Sequence, residues 1–275
     1  MTTTSISTGR ARSTAVSDGL VVTWRNLKRI PRIPELAIFA ILQSIMFVLL
    51  FAFVFGGAID VAGGYRSYLM PGIFVQTLAF ATVTTAIGMA EDMNKGLIDR
   101  FRSLPMSRSA VLSGRTTSDV VYNAMILFVL MVTGFIVGWR VNNGFVDFVI
   151  ALLLMLAFAY AMSWLGVLLG LLVPTVEVAQ QVGFIVLFPI TFVSNAFVPT
   201  ASMPAPLQVF AEWNPISSIV AALRDLFGSA GGLGNVSLGD SFPMEHPFLM
   251  SVAWIALALV VFPPLAVRKY RQASR

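Results

Sequence analysis

The chain of 275 residues has no cysteine and a single histidine, His246. Without cysteine there can be no disulfide, no thiolate nucleophile and no cysteine-ligated metal. One histidine without acidic neighbours at ligand spacing does not make a metal site. The sequence therefore predicts no metal centre.

Motifs that would supply energy or catalysis are also missing. A phosphate-binding P-loop needs Gly-Lys followed by Ser or Thr, but the only lysines, Lys28, Lys95 and Lys269, are followed by Arg, Gly and Tyr. Neither a GxSxG nucleophile motif nor an HExxH zinc motif occurs. We expect that the chain is not an enzyme, holds no cofactor and takes its energy from another subunit.

Charge is scarce, since Asp, Glu, Lys and Arg make up 11% of the residues and hydrophobic residues 57%. Soluble domains carry about 25% charge. Apolar stretches of roughly 20 residues can cross a bilayer as helices, which predicts an all-α integral membrane protein with six transmembrane helices. We place them at 38–58, 69–90, 120–139, 148–172, 181–198 and 247–267. None of these predicted spans has an ionisable residue in its interior, which disfavours proton- or sodium-coupled transport.

Lysine and arginine are unevenly distributed about these spans. Six precede the first span, five lie in the polar loop 91–119 and four follow the last span, whereas three fall on the opposite side. By the positive-inside rule, both termini and the 91–119 loop are cytoplasmic. The net charge of +5 then reflects the topology of a multi-pass protein in a bacterial plasma membrane. We therefore expect no nucleic-acid partner.

The sequence divides into a short tail and one membrane domain. Residues 1–17 are small, polar and basic, which predicts a disordered cytoplasmic tail. The single transmembrane domain, 18–275, opens with an amphipathic helix from Asp18 to Ile30, with Leu20 and Trp24 on its apolar face. We expect this helix in the cytoplasmic interface, as a simple anchor or as a mechanical element.

The external segment 199–246 is long and not polar. Its apolar run from Ile216 to Phe227 is too short to span a bilayer. Irregular backbone at membrane depth must be buried in protein or line water. The segment is therefore predicted to form short external re-entrant helices between spans five and six.

The cytoplasmic loop 91–119 contains a short helical pattern. Leu97, Phe101 and Leu104 recur at helical spacing, Gly96 permits a tight turn before them, and Pro105 ends the pattern. Such a helix could insert into a groove on a partner, or it could be a solvated loop helix without one.

Neutral polar side chains recur within spans one, two and five. They suit either hydrogen bonds between helices or contact with a transported molecule. Gly166 and Gly170, four residues apart in span four, predict close helix packing.

Two regions resemble the permease subunit of type-2 ABC exporters, and within them the daunorubicin/doxorubicin-resistance permeases. The first comprises Glu91, the run KGLIDRFRSLPMSR at 95–108, and Gly114 with Arg115. The second is LFPITFVSNAFVPTASMPAPLQVFAEWNPISSIVAALRDLF at 187–227. The resemblance covers nearly the whole chain.

The resemblance implies that two permease copies, expected to be identical, pair and dock on separately encoded ATP-binding subunits. ATP and Mg²⁺ are then expected in those partner subunits. It assigns a coupling helix, a substrate path through spans one, two and five, and an external gate. The coupling residues are Glu91, Gly96, Leu97, Asp99, Arg100, Phe101, Arg102, Leu104 and Pro105. The path residues are Gln43, Gln76, Thr77, Phe80, Thr84, Phe188, Phe192 and Asn195, and the gate residues are Pro204, Asn214, Pro215 and Arg224.

These features predict the permease of an ATP-driven exporter that moves lipophilic or amphipathic compounds, a drug or a lipid, outward. Export of polysaccharide or another polar product is an alternative, because such permeases have similar size and topology. Twenty-two Phe against five Trp and five Tyr favours the lipophilic substrate, since sugars prefer Trp and Tyr faces. A membrane scaffold or regulatory protein that transports nothing is a third reading.

Overall fold

The structure is a computed structural model that describes residues 34–55, 64–95, 108–200, 203–229 and 241–272. The predicted tail, the interfacial helix 18–30 and the coupling helix 97–104 lie outside these residues. Every regular element in the described ranges is helical, which confirms the all-α prediction. The helices are α1 (Pro34–Leu49, continued by a π-helical segment Leu50–Phe55), α2 (Tyr65–Asn94), α3 (Arg108–Val137), α4 (Phe145–Leu172), α5 (Val176–Phe192), α6 (Ala205–Trp213), α7 (Pro215–Leu226), α8 (Phe242–Glu245) and α9 (Pro247–Gln272).

Four helices are long and apolar enough to cross a membrane. They are α2, the Leu112–Val137 part of α3, α4, and the Pro247–Tyr270 part of α9. The first and fifth predicted spans correspond to shorter apolar helices, Leu42–Val54 and Val176–Phe192. A count of six crossings, the positions of the termini and the re-entrant path therefore stay predictions.

Helix α2 is the centre of the bundle. Most of its length is buried, and it packs most extensively against α4 and α5. Gly166 and Gly170 make the α2–α4 contact possible: a Cβ on Gly166 would lie 2.6 Å from the Thr82 carbonyl oxygen, and one on Gly170 would lie 2.5 Å from that of Ala86. The predicted role of these glycines in close helix packing is confirmed.

The end of the bundle that carries α7 is closed by an aromatic cluster. Phe227, which follows α7, lies between Trp139 and Phe74, with ring centroids 5.1 and 6.3 Å away in edge-to-face geometry. Trp139 and Phe74 also contact each other edge to face at 5.3 Å. Such pairs add to the stabilisation from area burial alone. The cluster fixes the end of α7 against α2 and the α3–α4 connection.

Helix boundaries differ from the predicted spans at the α2–α3 connection. Helix α2 continues to Asn94 and α3 already begins at Arg108, so both ends of the polar 91–119 segment are helical. Arg115 and Asp119, which the sequence places in a loop, therefore stand in the early turns of a long helix. Hydropathy alone could not find this boundary because helices extend beyond their apolar stretches.

Candidate functional site

Of the predicted coupling residues, the structure describes Glu91. Its carboxylate lies 3.0 Å from the Lys95 ammonium one turn further along α2, and this ion pair is solvent-exposed. The other eight predicted coupling residues lie outside the described ranges. Their role stays a prediction.

Asn214, a predicted gate residue, fixes the start of α7. Its side-chain oxygen accepts a hydrogen bond from the Ile216 amide at 2.9 Å, which caps the helix. Its amide nitrogen donates to the carbonyls of Ile190 and Val193 at 2.6 and 2.8 Å. Pro215 occupies the first position of α7, where its missing N–H costs nothing. One side chain therefore ties α7 to the end of α5.

Arg224, another predicted gate residue, is completely buried at the other end of α7. Its guanidinium donates to the carbonyls of Tyr68 at 3.0 Å and Asn195 at 2.8 Å, and it lies 3.6 Å from the centre of the Tyr68 ring. The Tyr68 hydroxyl donates to the same Asn195 carbonyl at 2.8 Å. Among the described residues, Arg224 Nη1 and the side-chain oxygen of Asn195 find no hydrogen-bond partner. Arg224 thus connects α7, α2 and the turn after α5.

The connection between α3 and α4 holds α7 from a third direction. The Asn142 amide donates to the Phe227 carbonyl at 2.9 Å, and the Asn143 side chain donates to the Asp225 carbonyl at 2.8 Å. Gly228 adopts φ +70°, and a Cβ there would meet Asn142 and Asn143. Burial raises the pKa of Asp225, and the Arg224 charge opposes this effect. Asn142 and Asn143 lie between two predicted spans, where no local pattern indicates a contact with α7, so this contact was missed.

Helix α6 is much less constrained than α7. It follows Pro204, the remaining predicted gate residue, and most of its side chains are exposed, including Val209 and Trp213. Helix α7, by contrast, is buried from Ile216 to Arg224. The two halves of the predicted gate are therefore one fixed helix and one surface helix.

The predicted path residues fall into two groups. Gln76 and Asn195 are buried within the protein. The remaining six reach the surface of the bundle to different degrees: Gln43, Thr77, Phe80, Thr84, Phe188 and Phe192. On α2, the members of this second group recur at helical spacing and form the exposed stripe of a helix that is otherwise buried.

The stripe on α2 continues onto α5 through aromatic contacts. Phe80 meets Phe184 with ring centroids 5.6 Å apart, and Phe188 stacks on Phe192 at 4.2 Å. We call this surface, formed by Thr77, Phe80, Thr84, Phe184, Phe188 and Phe192, the α2–α5 face. A chain of rings extends it towards α1, because Phe192 contacts Phe197 and Phe197 stacks on Phe51 at 4.8 Å.

The start of α5 adds polar groups to this face. Glu177, Gln180 and Gln181 line an open recess of about 550 Å³ together with Phe184 and Ile185. Hydrogen bonds from its own backbone N–H and from the Thr175 hydroxyl lower the pKa of Glu177. The recess therefore combines amides, one carboxylate and an aromatic ring. Within the described ranges, no three His, Asp or Glu side chains approach closely enough to hold a metal.

A polar cluster that the sequence did not predict joins α2 and α3. Arg115 on α3 pairs with Asp92 and donates to the Gly88 carbonyl at 3.2 Å, both on α2. One turn further along α3, Asp119 accepts a hydrogen bond from the Thr85 hydroxyl at 2.9 Å. We call Thr85, Gly88, Asp92, Arg115 and Asp119 the α2–α3 clamp. Charges assigned to a loop gave no reason to expect it.

Comparison with known proteins assigns the family. The ABC-2 type transporter family matches residues 19–227. The chain is 34% identical over 266 residues to the daunorubicin resistance ABC transporter permease protein DrrB1 of Streptomyces coeruleorubidus, covering 96% of this chain and 89% of that relative. It is 26% identical to the probable doxorubicin resistance ABC transporter permease protein DrrC of Mycobacterium tuberculosis, over 94% and 90% of the two chains. A putative transport permease, ycf38 of Cyanophora paradoxa, is 24% identical over 90% and 85%.

The predicted resemblance to drug-resistance ABC permeases is therefore confirmed over almost the full length of the chain. Relatives of this kind are transport subunits rather than enzymes. The chain is a membrane permease that belongs to the ABC-2 type transporter family.

Proposed function

We propose that this permease moves lipophilic or amphipathic compounds outward across the bacterial plasma membrane, driven by ATP hydrolysis in a separate subunit. The observation that carries the proposal is the α2–α5 face. Exposed apolar residues elsewhere on the bundle suit lipid chains, but this face mixes phenylalanine rings with the hydroxyls of Thr77 and Thr84. Apolar surface with a few polar groups is typical of sites for drug-sized ligands.

The type of aromatic residue favours a lipophilic substrate over a sugar. Five phenylalanines on the α2–α5 face or its extension towards α1 form two groups of contacting rings: Phe80 with Phe184, and Phe192 with Phe188 and Phe197. Among the described Trp and Tyr side chains, Trp213 on α6 is the one that is largely exposed, and Tyr68 and Trp139 are fully buried. A sugar path would be expected to present Trp or Tyr rings, so the polysaccharide alternative is weaker.

The relatives named for daunorubicin and doxorubicin resistance support the same substrate class. Daunorubicin is therefore a reasonable first probe. A scaffold that transports nothing would need no mixed polar and aromatic face. Export also accounts for the absence of a P-loop, since the ABC family implies an ATP-binding partner.

The mechanical roles follow from this function. Residues 97–104 form the coupling helix seated in the ATP-binding subunit, which holds ATP and Mg²⁺. A second copy of the permease faces the first across the α2–α5 faces, and both termini are cytoplasmic. ATP-driven closure of the partner subunits pushes the coupling helix, and α2 passes this displacement to α5, against which it packs extensively.

Uptake into inside-out vesicles tests the function. Vesicles that contain the permease and a candidate ATP-binding subunit should accumulate daunorubicin when ATP is supplied. Phe188→Ala should reduce this uptake, because it removes a ring from the α2–α5 face, whereas Phe248→Ala on α9 should not. Both rings are about half exposed, at 52% and 46%. ATP-independent uptake, or equal effects of the two variants, would contradict the proposal.

A further inference from the structure

The α2–α3 clamp joins two helices that otherwise share little surface. Helix α2 packs mainly against α4 and α5, and its packing against α3 is much less extensive. Helix α3 packs against α4 and α1. Met89 and Leu112 belong to one apolar cluster at this end of the bundle, and the polar contacts of the clamp add to that limited packing.

The geometry of the clamp is regular. Asp92, Gly88 and Thr85 lie on one face of α2 at spacings of four and three residues, and Arg115 and Asp119 lie one turn apart on α3. Each α2 residue contacts one of the two α3 residues in antiparallel order. Contacts over two successive turns restrict both sliding and rotation of one helix against the other.

Gly88 leaves space for the guanidinium of Arg115. A Cβ at this position would overlap Arg115 Nη2, so the absence of a side chain makes room for the charge. Arg115 and Asp92 keep only 16% and 19% of their side-chain surface exposed. This distinguishes the pair from the exposed Glu91–Lys95 pair a few residues away, whose members are 33% and 57% exposed. A partly buried arginine that donates to both a carboxylate and a backbone carbonyl is positioned more tightly than a surface ion pair.

The clamp joins the two helices that flank the segment with the predicted coupling helix. Residues 96–107 connect α2 to α3, and the clamp lies within the last three turns of α2 and the first four of α3. Without it, a push on this segment could move α2 and α3 separately. With it, both helices must respond together.

We propose that Arg115, Asp92 and Asp119 are positioning residues that make α2 and α3 move as one unit. A displacement of residues 96–107 then reaches α5 through α2, and at the same time it reaches α1 through α3. This inference rests on the proposed function. It adds a non-covalent contact between α2 and α3, on which the efficiency of coupling between ATP hydrolysis and transport depends. None of the three residues touches substrate or nucleotide in this mechanism.

Charge reversal tests the inference in the complete complex with the ATP-binding subunit. Arg115→Asp should leave the complex assembled but reduce daunorubicin-stimulated ATP hydrolysis by about fivefold or more, the lower end of typical coupling between sites. The double variant Asp92→Arg with Arg115→Asp should recover much of the stimulation, because it restores an opposite-charge pair. Arg140→Gln is the control, because Arg140 is an exposed arginine just beyond the other end of α3.

A distance measurement separates positioning from general damage. The chain has no cysteine, so single cysteines at Asn94 and Thr117, exposed sites on α2 and α3, can carry spin labels without background. The label distance should have one narrow distribution in the parent chain and a broad one after Arg115→Gln. An unchanged distribution, normal stimulation in Arg115→Asp, or no recovery in an assembled double variant would overturn the inference. Absence of stimulation in the unsubstituted complex would instead count against the proposed function.

Discussion

At the scale of single residues, Arg224 shows how a buried charge can organise a membrane protein. It has no carboxylate partner among the described residues and is instead surrounded by carbonyl oxygens and the face of Tyr68. Carbonyl dipoles and an aromatic ring can compensate a desolvated guanidinium, whose planar fork reaches several acceptors at once. This arrangement lets one side chain join three parts of the chain that are distant in sequence.

Arg224→Met should therefore destabilise the protein by about 2–4 kcal/mol, because it leaves buried carbonyl acceptors without donors. Denaturant titration of the purified chain in detergent, followed by circular dichroism, would measure the loss. Arg140→Met is the control, since Arg140 is exposed and should change the free energy of unfolding by less than about 0.5 kcal/mol. Equal effects of the two variants would show that Arg224 does not anchor α7.

At the scale of helices, the α2–α4 contact depends on the two glycines of α4. Gly170→Ala should destabilise the protein by about 1–3 kcal/mol, because the new methyl group meets the Ala86 carbonyl and the Met89 Cβ, and one helix must shift. Gly144→Ser is a suitable control: it adds a side chain in open space at the N-cap of α4, where serine is favoured. A neutral Gly170→Ala would mean that α2 and α4 are further apart than the structure places them.

Helices α6 and α7 should also differ in local stability. Helix α7 is buried and held by Asn214, Arg224 and Asn143, whereas α6 is largely exposed. We expect backbone amides of α7 to exchange with deuterium much more slowly than those of α6, and Asn214→Ala to reduce the protection of α7 selectively. Mass spectrometry of the exchanged protein would measure both. Similar protection of the two helices would contradict the distinction between a fixed and a surface element.

At this scale, the sequence could predict those features that depend on a short stretch of residues. Apolar length predicted the helices, the glycine pair predicted the α2–α4 packing, and the short apolar run Ile216–Phe227 predicted a separate short helix. The contacts of α7 with Tyr68 and Asn143 depend on how distant segments meet, so no local pattern shows them. Arg115 and Asp119 were missed for a related reason, since charges at the end of an apolar stretch look the same in a loop and in a continuing helix.

At the scale of the whole molecule, the chain is a permease of the ABC-2 type transporter family, and in the proposed function its energy comes from a separate ATP-binding subunit. Its family, the missing P-loop and the position of segment 96–107 between α2 and α3 suggest that this segment receives the push. From it, α2 leads to α4 and α5, and α3 leads to α4 and α1. The α2–α5 face is where relative movement of these helices would alter contact with a lipophilic compound.

Docking should depend on the apolar edge of the predicted coupling helix. Phe101→Asp should abolish association with the ATP-binding subunit without preventing membrane insertion. The substitution would bury a carboxylate in an apolar groove of the partner in place of an aromatic ring, which is costly. Ser103→Asp lies in the same segment but off that edge and should preserve association. Co-purification of the two subunits is the measurement. Normal association of the Phe101 variant would remove the coupling helix from the account.

The most direct test of the central claim is the ATPase rate of the permease co-purified with its ATP-binding subunit in lipid nanodiscs, with and without lipophilic compounds. We predict that ATP hydrolysis requires the complex and that daunorubicin or another amphipathic compound stimulates it, with loss of that stimulation in Phe188→Ala. If a stable complex hydrolyses ATP at a rate that no lipophilic compound changes, or if no complex forms, the chain is not the exporter permease described here.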